Sequence, residues 1–83
     1  MLEVTRLYRM ENGSNLKAFA DVIVGGEVLI KGVRVVSAKD DSLFVSMPKQ
    51  KGKEGRWYET VSLLSEETKQ ELNERVLEAY NTD

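Results

Sequence analysis

Residues Leu16 to Val36 read LKAFADVIVGGEVLIKGVRVV, and this stretch decides the fold. Leu16, Ala18, Ala20, Val22 and Val24 fall on even positions, with Lys17, Phe19, Asp21 and Ile23 between them. That period of two belongs to a strand with one face against a core. Gly25 and Gly26 then supply the positive φ values of a two-residue hairpin, so the next strand, 27–36, returns antiparallel. Two alanines side by side on the apolar face leave room for something bulky, and a helix is the natural candidate. In the returning strand Val28 and Ile30 share one parity, whereas Val33 and Val35 have the other. Either a bulge at Lys31-Gly32 brings all four to one side, or the strand is covered on both faces.

Upstream, residues 2–10 form a first strand, with Leu2, Val4, Tyr8 and Met10 on one parity. Leu7 and Arg6 interrupt it, which requires a bulge near Arg6 or burial of both faces. Glu11-Asn12-Gly13-Ser14-Asn15 is the turn to the second strand. Downstream, residues 43–47 (Leu43-Phe44-Val45-Ser46-Met47) form a fourth strand with Leu43, Val45 and Met47 inward. Pro48 ends it, having no N–H for a ladder. Strand character resumes over 56–63, where Trp57, Glu59 and Val61 alternate with Tyr58 and Thr60. The segment between reads as a long, mobile connection. Ser65 caps a helix over 66–81, with Glu66 and Glu67 at the positive end of its dipole. Leu72, Val76, Ala79 and Tyr80 make its apolar stripe, Leu77 lies at the edge, and Glu71, Glu74, Arg75 and Glu78 face away.

The expected fold is therefore α+β: one domain, 1–83, with a small antiparallel sheet of four to five strands and one C-terminal helix packed on it. A single helix leaves the second sheet face open, with Phe19, Ile23, Leu29 and Phe44 as candidates to lie there. That favours a dimer.

Composition limits the chemistry. The chain has 83 residues with neither cysteine nor histidine, which removes disulfides, thiolate or imidazole metal sites and Ser-His or Cys-His nucleophiles. The chain is read as non-enzymatic and without a cofactor or small-molecule substrate. The first residues carry no basic region followed by an apolar run, and no apolar stretch approaches the ~18 residues of a membrane span, so a cytoplasmic protein is expected.

Charge is unevenly spread. The net charge is −2, yet Lys49, Lys51, Lys53 and Arg56 stand against Glu54 alone between Pro48 and Trp57, a local +3. From Ser65 onward two bases oppose six acids, a net of −4, while residues 1–64 carry ten bases and eight acids, a net of +2. In an extended segment, lysines two residues apart project on one side roughly 6.6 Å apart, a spacing suited to successive phosphates of a polynucleotide. A lysine- and glycine-rich tip also fits plain solvated turn chemistry. Trp57 fits a core or dimer-interface position better than a base platform. Arg34 fits an ion pair with Asp21 or Glu59 better than a basic face shared with Lys31.

Val33-Arg34-Val35-Val36, the short polar turn, Leu43-Phe44-Val45-Ser46-Met47-Pro48, the basic segment with Gly55, the aromatic strand and the capped helix ending Val76-Leu77-Glu78-Ala79-Tyr80 resemble the SpoVG family of bacterial septation and sporulation regulators. The resemblance spans nearly the whole chain. It implies a cytoplasmic homodimer, and a regulator that binds DNA and, in some members, RNA. It places nucleic-acid contacts in the basic segment, here Lys49, Lys51, Lys53 and Arg56, and in parts near the helix. Lys51 falls where the family carries a base, whereas Leu63 replaces a usual proline and the helix is more acidic than the family pattern. A protein-interaction module of the division or sporulation machinery, working through a strand edge or the acidic helix, is the competing expectation.

Overall fold

In a computed structural model, which describes residues 1–11 and 13–82, the chain is a four-stranded antiparallel meander with one helix across a single face and a separate two-stranded hairpin. The strands are β1 (Leu2–Arg9), β2 (Leu16–Val24), β3 (Val28–Ser37), β4 (Leu43–Ser46), β5 (Lys49–Lys51) and β6 (Trp57–Glu59), and the helix is α1 (Glu66–Asn81). The main sheet runs in the order β1-β2-β3-β4, and β5 pairs only with β6. Asn12, part of the expected first turn, lies outside the described residues.

Three register shifts sort the side chains between the two faces. On β1, Val4 faces Val22 and Arg6 faces Asp21, so Thr5 is an extra residue and the parity changes there. Leu2, Val4 and Leu7 point inward as a result, and Tyr8 lies on the outer face, not with Leu2 and Val4 as the alternation alone implied. On β3, Lys31 and Gly32 together oppose Asp21, and Gly32 takes φ +85°. Of the two alternatives the bulge is the one found: Ile30, Val33 and Val35 are buried on one side, while Val28 joins their face but stays open beside the hairpin turn. On β2, Lys17 is the extra residue, which moves Leu16 off the inner row and opposite Val36. Gly25 and Gly26 both have positive φ, and the Glu27 N–H donates to the Val24 carbonyl at 3.3 Å.

The core consists of Leu2, Ala18, Ala20, Val22, Ile30, Val33 and Val35 from the sheet and Leu72 and Val76 from the helix. Ala18 and Ala20 are fully buried in the cluster that Leu72 and Val76 complete, as their small size implied. The helix begins at Ser65, whose side chain accepts from the Thr68 N–H at 3.4 Å, with Glu66 and Glu67 in the first turn. Its last turn contains no base. Arg9, at the end of β1 and in the inner row with Ala18, supplies the missing cation by donating to the carbonyls of Tyr80 and Thr82. The main differences in extent are at the fourth and fifth expected strands. The former ends at Ser46, and the latter is confined to residues 57–59 in a sheet of its own. No helix among the described residues is long and apolar enough to cross a membrane.

Candidate nucleic-acid interface

Pro48 ends β4, but the chain beyond it is ordered. Lys49, Gln50 and Lys51 face Glu59, Tyr58 and Trp57 in turn, forming an antiparallel ladder where a mobile connection was expected. The Thr60 N–H and hydroxyl both donate to the Pro48 carbonyl, at 3.0 and 3.3 Å, and close its base. At the tip, the Gly52 N–H donates to the Arg56 carbonyl at 2.8 Å, the Gly55 N–H donates to the Gly52 carbonyl at 3.1 Å, and Gly55 has φ +80°. This is the three-residue hairpin loop in which a turn is followed by a left-handed residue. Lysine and glutamine have weak strand preference, so the ladder leaves little mark on the hydrophobic pattern.

Directly paired residues share a face. Lys49, Lys51, Trp57 and Glu59 therefore lie on one side of the hairpin, and Gln50 and Tyr58 on the other. A Cβ added at Gly52 would meet the Tyr58 ring at 2.6 Å, so Tyr58 is packed against the glycine backbone. Trp57, on the front, is 59% exposed and does not belong to the core of this chain, so of the two positions expected for it the core is excluded.

The four predicted contact residues are brought together only in part. Lys49 and Lys51 share the front face with Trp57. Lys53 belongs to the turn and does not continue their row, and Arg56, opposite Gly52, falls by alternation on the Tyr58 side. Among the described residues the one ion pair is Lys69 with Glu66, at 3.4 Å on the helix, so none of the hairpin's four cations is neutralised by a salt link. The Lys51–Trp57 pairing was within reach of the sequence: a three-residue loop Lys53-Glu54-Gly55 fixes the register that puts 51 opposite 57.

The outer face of the main sheet is a second cluster. Tyr8, Phe19, Arg34 and Ser46 form one row across all four strands, next to Arg6 opposite Asp21. Arg34 pairs with neither Asp21 nor Glu59. Its guanidinium lies 5.8 Å from the Phe19 ring centroid, and its Nε is buried without a hydrogen-bond partner. Asp21 sits opposite Arg6 on β1 and the Lys31-Gly32 bulge on β3, two residues along β2 from Phe19, which is the residue that faces Arg34. Arg6 donates to the Tyr8 hydroxyl at 3.2 Å, and this bond, with the nearby Asp21, raises the arginine pKa further above its already high value. Tyr8, Leu29 and Phe44 are each about half exposed on this face. Beside the free edge of β4, a cleft of about 600 Å³ separates Phe44–Met47 from Leu63 and the first half of α1, with Glu59, Lys69 and Glu74 at its rim. No cluster of three acidic side chains suited to a metal ion occurs among the described residues.

A meander covered on one side by a helix, with a cationic, aromatic hairpin standing apart from both, defines a small α+β protein whose distinctive surface is a finger and not a cavity. The SpoVG family profile matches residues 2–82, and the chain belongs to that family. It is 33% identical over 82 residues to a SpoVG protein of Archaeoglobus fulgidus, covering 96% of this chain and 95% of that one. It is 31% identical over 81 residues to SpoVG 1 of Listeria monocytogenes serotype 4b, covering 95% and 78%, and 28% identical over 81 residues to a SpoVG protein of Treponema denticola, covering 95% and 86%. The names of all three refer to septation.

Proposed function

We propose that this protein is a cytoplasmic, homodimeric nucleic-acid-binding regulator linked to septation and sporulation, and that it acts by occupying DNA or RNA and not by catalysis. The observation that carries the reading is the front of the hairpin. Lys49 and Lys51 project on one side, neither in a salt bridge although Glu59 lies across from Lys49, from an element with few contacts to the acidic helix. Lys53 and Arg56 add charge at the tip and the back. Because the whole chain is anionic, binding rests on this local concentration of charge and gains from its duplication in a dimer. The open outer face, with Phe19, Ile23, Leu29 and Phe44, supports pairing with a second copy.

The test is the salt dependence of binding. Each phosphate contact on duplex DNA lowers log K by about 0.9 per log unit of salt. Binding to a duplex and to a single strand should weaken steeply with added salt, and a Lys49→Ala/Lys51→Ala/Lys53→Ala variant should lose most of that slope. Salt-insensitive binding, or a variant that behaves like the parent, would sink the proposal.

The free edge of β4 and its neighbouring cleft favour a second reading, a protein-interaction module that takes an extended segment by strand addition. Partners that remain bound after nuclease treatment would support it over the first.

A further inference from the structure

We infer that the hairpin is built for single-stranded polynucleotide, with Trp57 as the surface on which one unpaired base stacks. The inference rests on the reading that the hairpin binds nucleic acid, and it adds the class of substrate.

Trp57 is the only tryptophan in the chain, and its side chain is 59% exposed although it sits in a regular ladder. Its position is set by the backbone: the strand pairing holds it opposite Lys51, and Lys49 lies on the same face two residues further along. Lys51 thus stands directly across from the ring and Lys49 diagonally from it, their strand positions roughly 6.6 Å apart along the chain. A phosphodiester backbone following the lysines would bring the attached base over the indole. The neighbouring aromatic, Tyr58, is half exposed but lies on the other face of the hairpin, against Gly52 and away from Lys49 and Lys51. Glu59, directly opposite Lys49 on the same face, repels phosphate at that end of the front, which limits the footprint to a short run of nucleotides.

This geometry discriminates by strandedness. In an intact duplex each base is stacked on both faces and paired at its edge, so an exposed ring on a hairpin finds no free π surface there unless a base is unstacked. A single strand presents such surfaces freely, and aromatic platforms beside cations are the common solution for holding it. Stacking of this kind tolerates any base, in keeping with a surface that carries no side chains arranged to read base edges.

The experiment uses the full chain with three probes: a dodecamer of thymidylate, a dodecamer of uridylate, and a mixed-sequence DNA duplex of equal length. Because Trp57 is the sole tryptophan, its fluorescence reports on the ring directly. Either single strand, DNA or RNA, should quench it strongly, and the duplex should quench it little. Replacing the ring by Trp57→Ala should lower the ratio of single-strand to duplex affinity by about 5- to 150-fold, and Trp57→Phe should recover part of that loss. Circular dichroism of each variant checks that the fold is retained. Binding of single strands without quenching, or an affinity ratio unmoved by Trp57→Ala, overturns the inference while leaving the hairpin as a phosphate-binding element. Failure of the parent protein to bind any of the three probes overturns both.

Discussion

Arg9 and Tyr80 are joined twice: the guanidinium of Arg9 donates to the Tyr80 carbonyl and lies 5.3 Å from the centroid of the Tyr80 ring. It also donates to the Thr82 carbonyl at 3.1 Å. A strand residue 71 positions away thereby satisfies the orphan carbonyls of a helix whose own last turn has no base. Removing it by Arg9→Ala should cost about 1 kcal/mol, which for a domain of this size lowers the melting temperature by roughly 4–8 °C. Thermal denaturation followed by circular dichroism measures this, and Arg9→Lys, which keeps the charge but not the fork, should fall between the two.

The core makes opposite demands on its large and small members. Leu72→Ala leaves a void over the sheet and should destabilise by about 2–5 kcal/mol. Ala18→Leu overfills a site with no free space and should cost about 1–3 kcal/mol. Urea denaturation separates these from surface changes, and equal stability of parent and Ala18→Leu would show that the helix is not held close over β2.

Gly52 is required by a neighbour and not by its own φ. A methyl group there would collide with the Tyr58 ring, so Gly52→Ala should displace the tyrosine and loosen the hairpin. The main sheet, which the hairpin barely touches, should keep its stability. Amide chemical shifts of residues 49–59 should move, and those of β2 and β3 should not.

The triple lysine variant offers a second reading of the same hairpin. Each lost phosphate contact removes about 0.9 from the salt slope on duplex DNA and about 0.7 on a single strand. If Lys49 and Lys51 carry the contacts and Lys53 only decorates the turn, Lys49→Ala/Lys51→Ala should reduce the slope nearly as much as the triple change.

Asp40 accepts from both the Ser42 hydroxyl, at 2.6 Å, and the Ser42 N–H, at 3.1 Å, and these bonds hold its carboxyl below the ordinary carboxylate range. A depressed pKa means the bonds stabilise the fold above the ordinary carboxylate value and are lost as pH falls through the lowered one. In Ser42→Ala the Asp40 carboxyl should titrate higher, nearer its usual value, as followed by the side-chain carbon resonance. An unchanged midpoint would show that the hydroxyl is not its partner.

The strands around Gly25-Gly26, the bulge at Gly32 and the helix cap at Ser65 were all legible, because each is written in local chemistry: a period of two, glycines where φ is positive, a hydroxyl before a run of acids. The bulge at Thr5 was legible as one of two readings of the broken alternation near Arg6, and that at Lys17 not at all, since a bulge in a strand without glycine leaves only an ambiguous parity; Tyr8 was therefore put on the wrong face. The expected partner of Arg34 failed for a related reason. Which acid lies beside it depends on a register that two neighbouring strands settle jointly.

By itself, then, the amino-acid order determined an α+β chain, a capped C-terminal helix with an acidic face, and a basic segment between two apolar strands, because hydrophobic period, turn residues and charge act over a few neighbouring positions. Only the tertiary structure decided that the basic segment is an ordered ladder, that Trp57 is left exposed on its front, and that Arg9 closes the helix. Those facts depend on cross-strand register and on contacts between residues far apart in the chain, which no local pattern encodes.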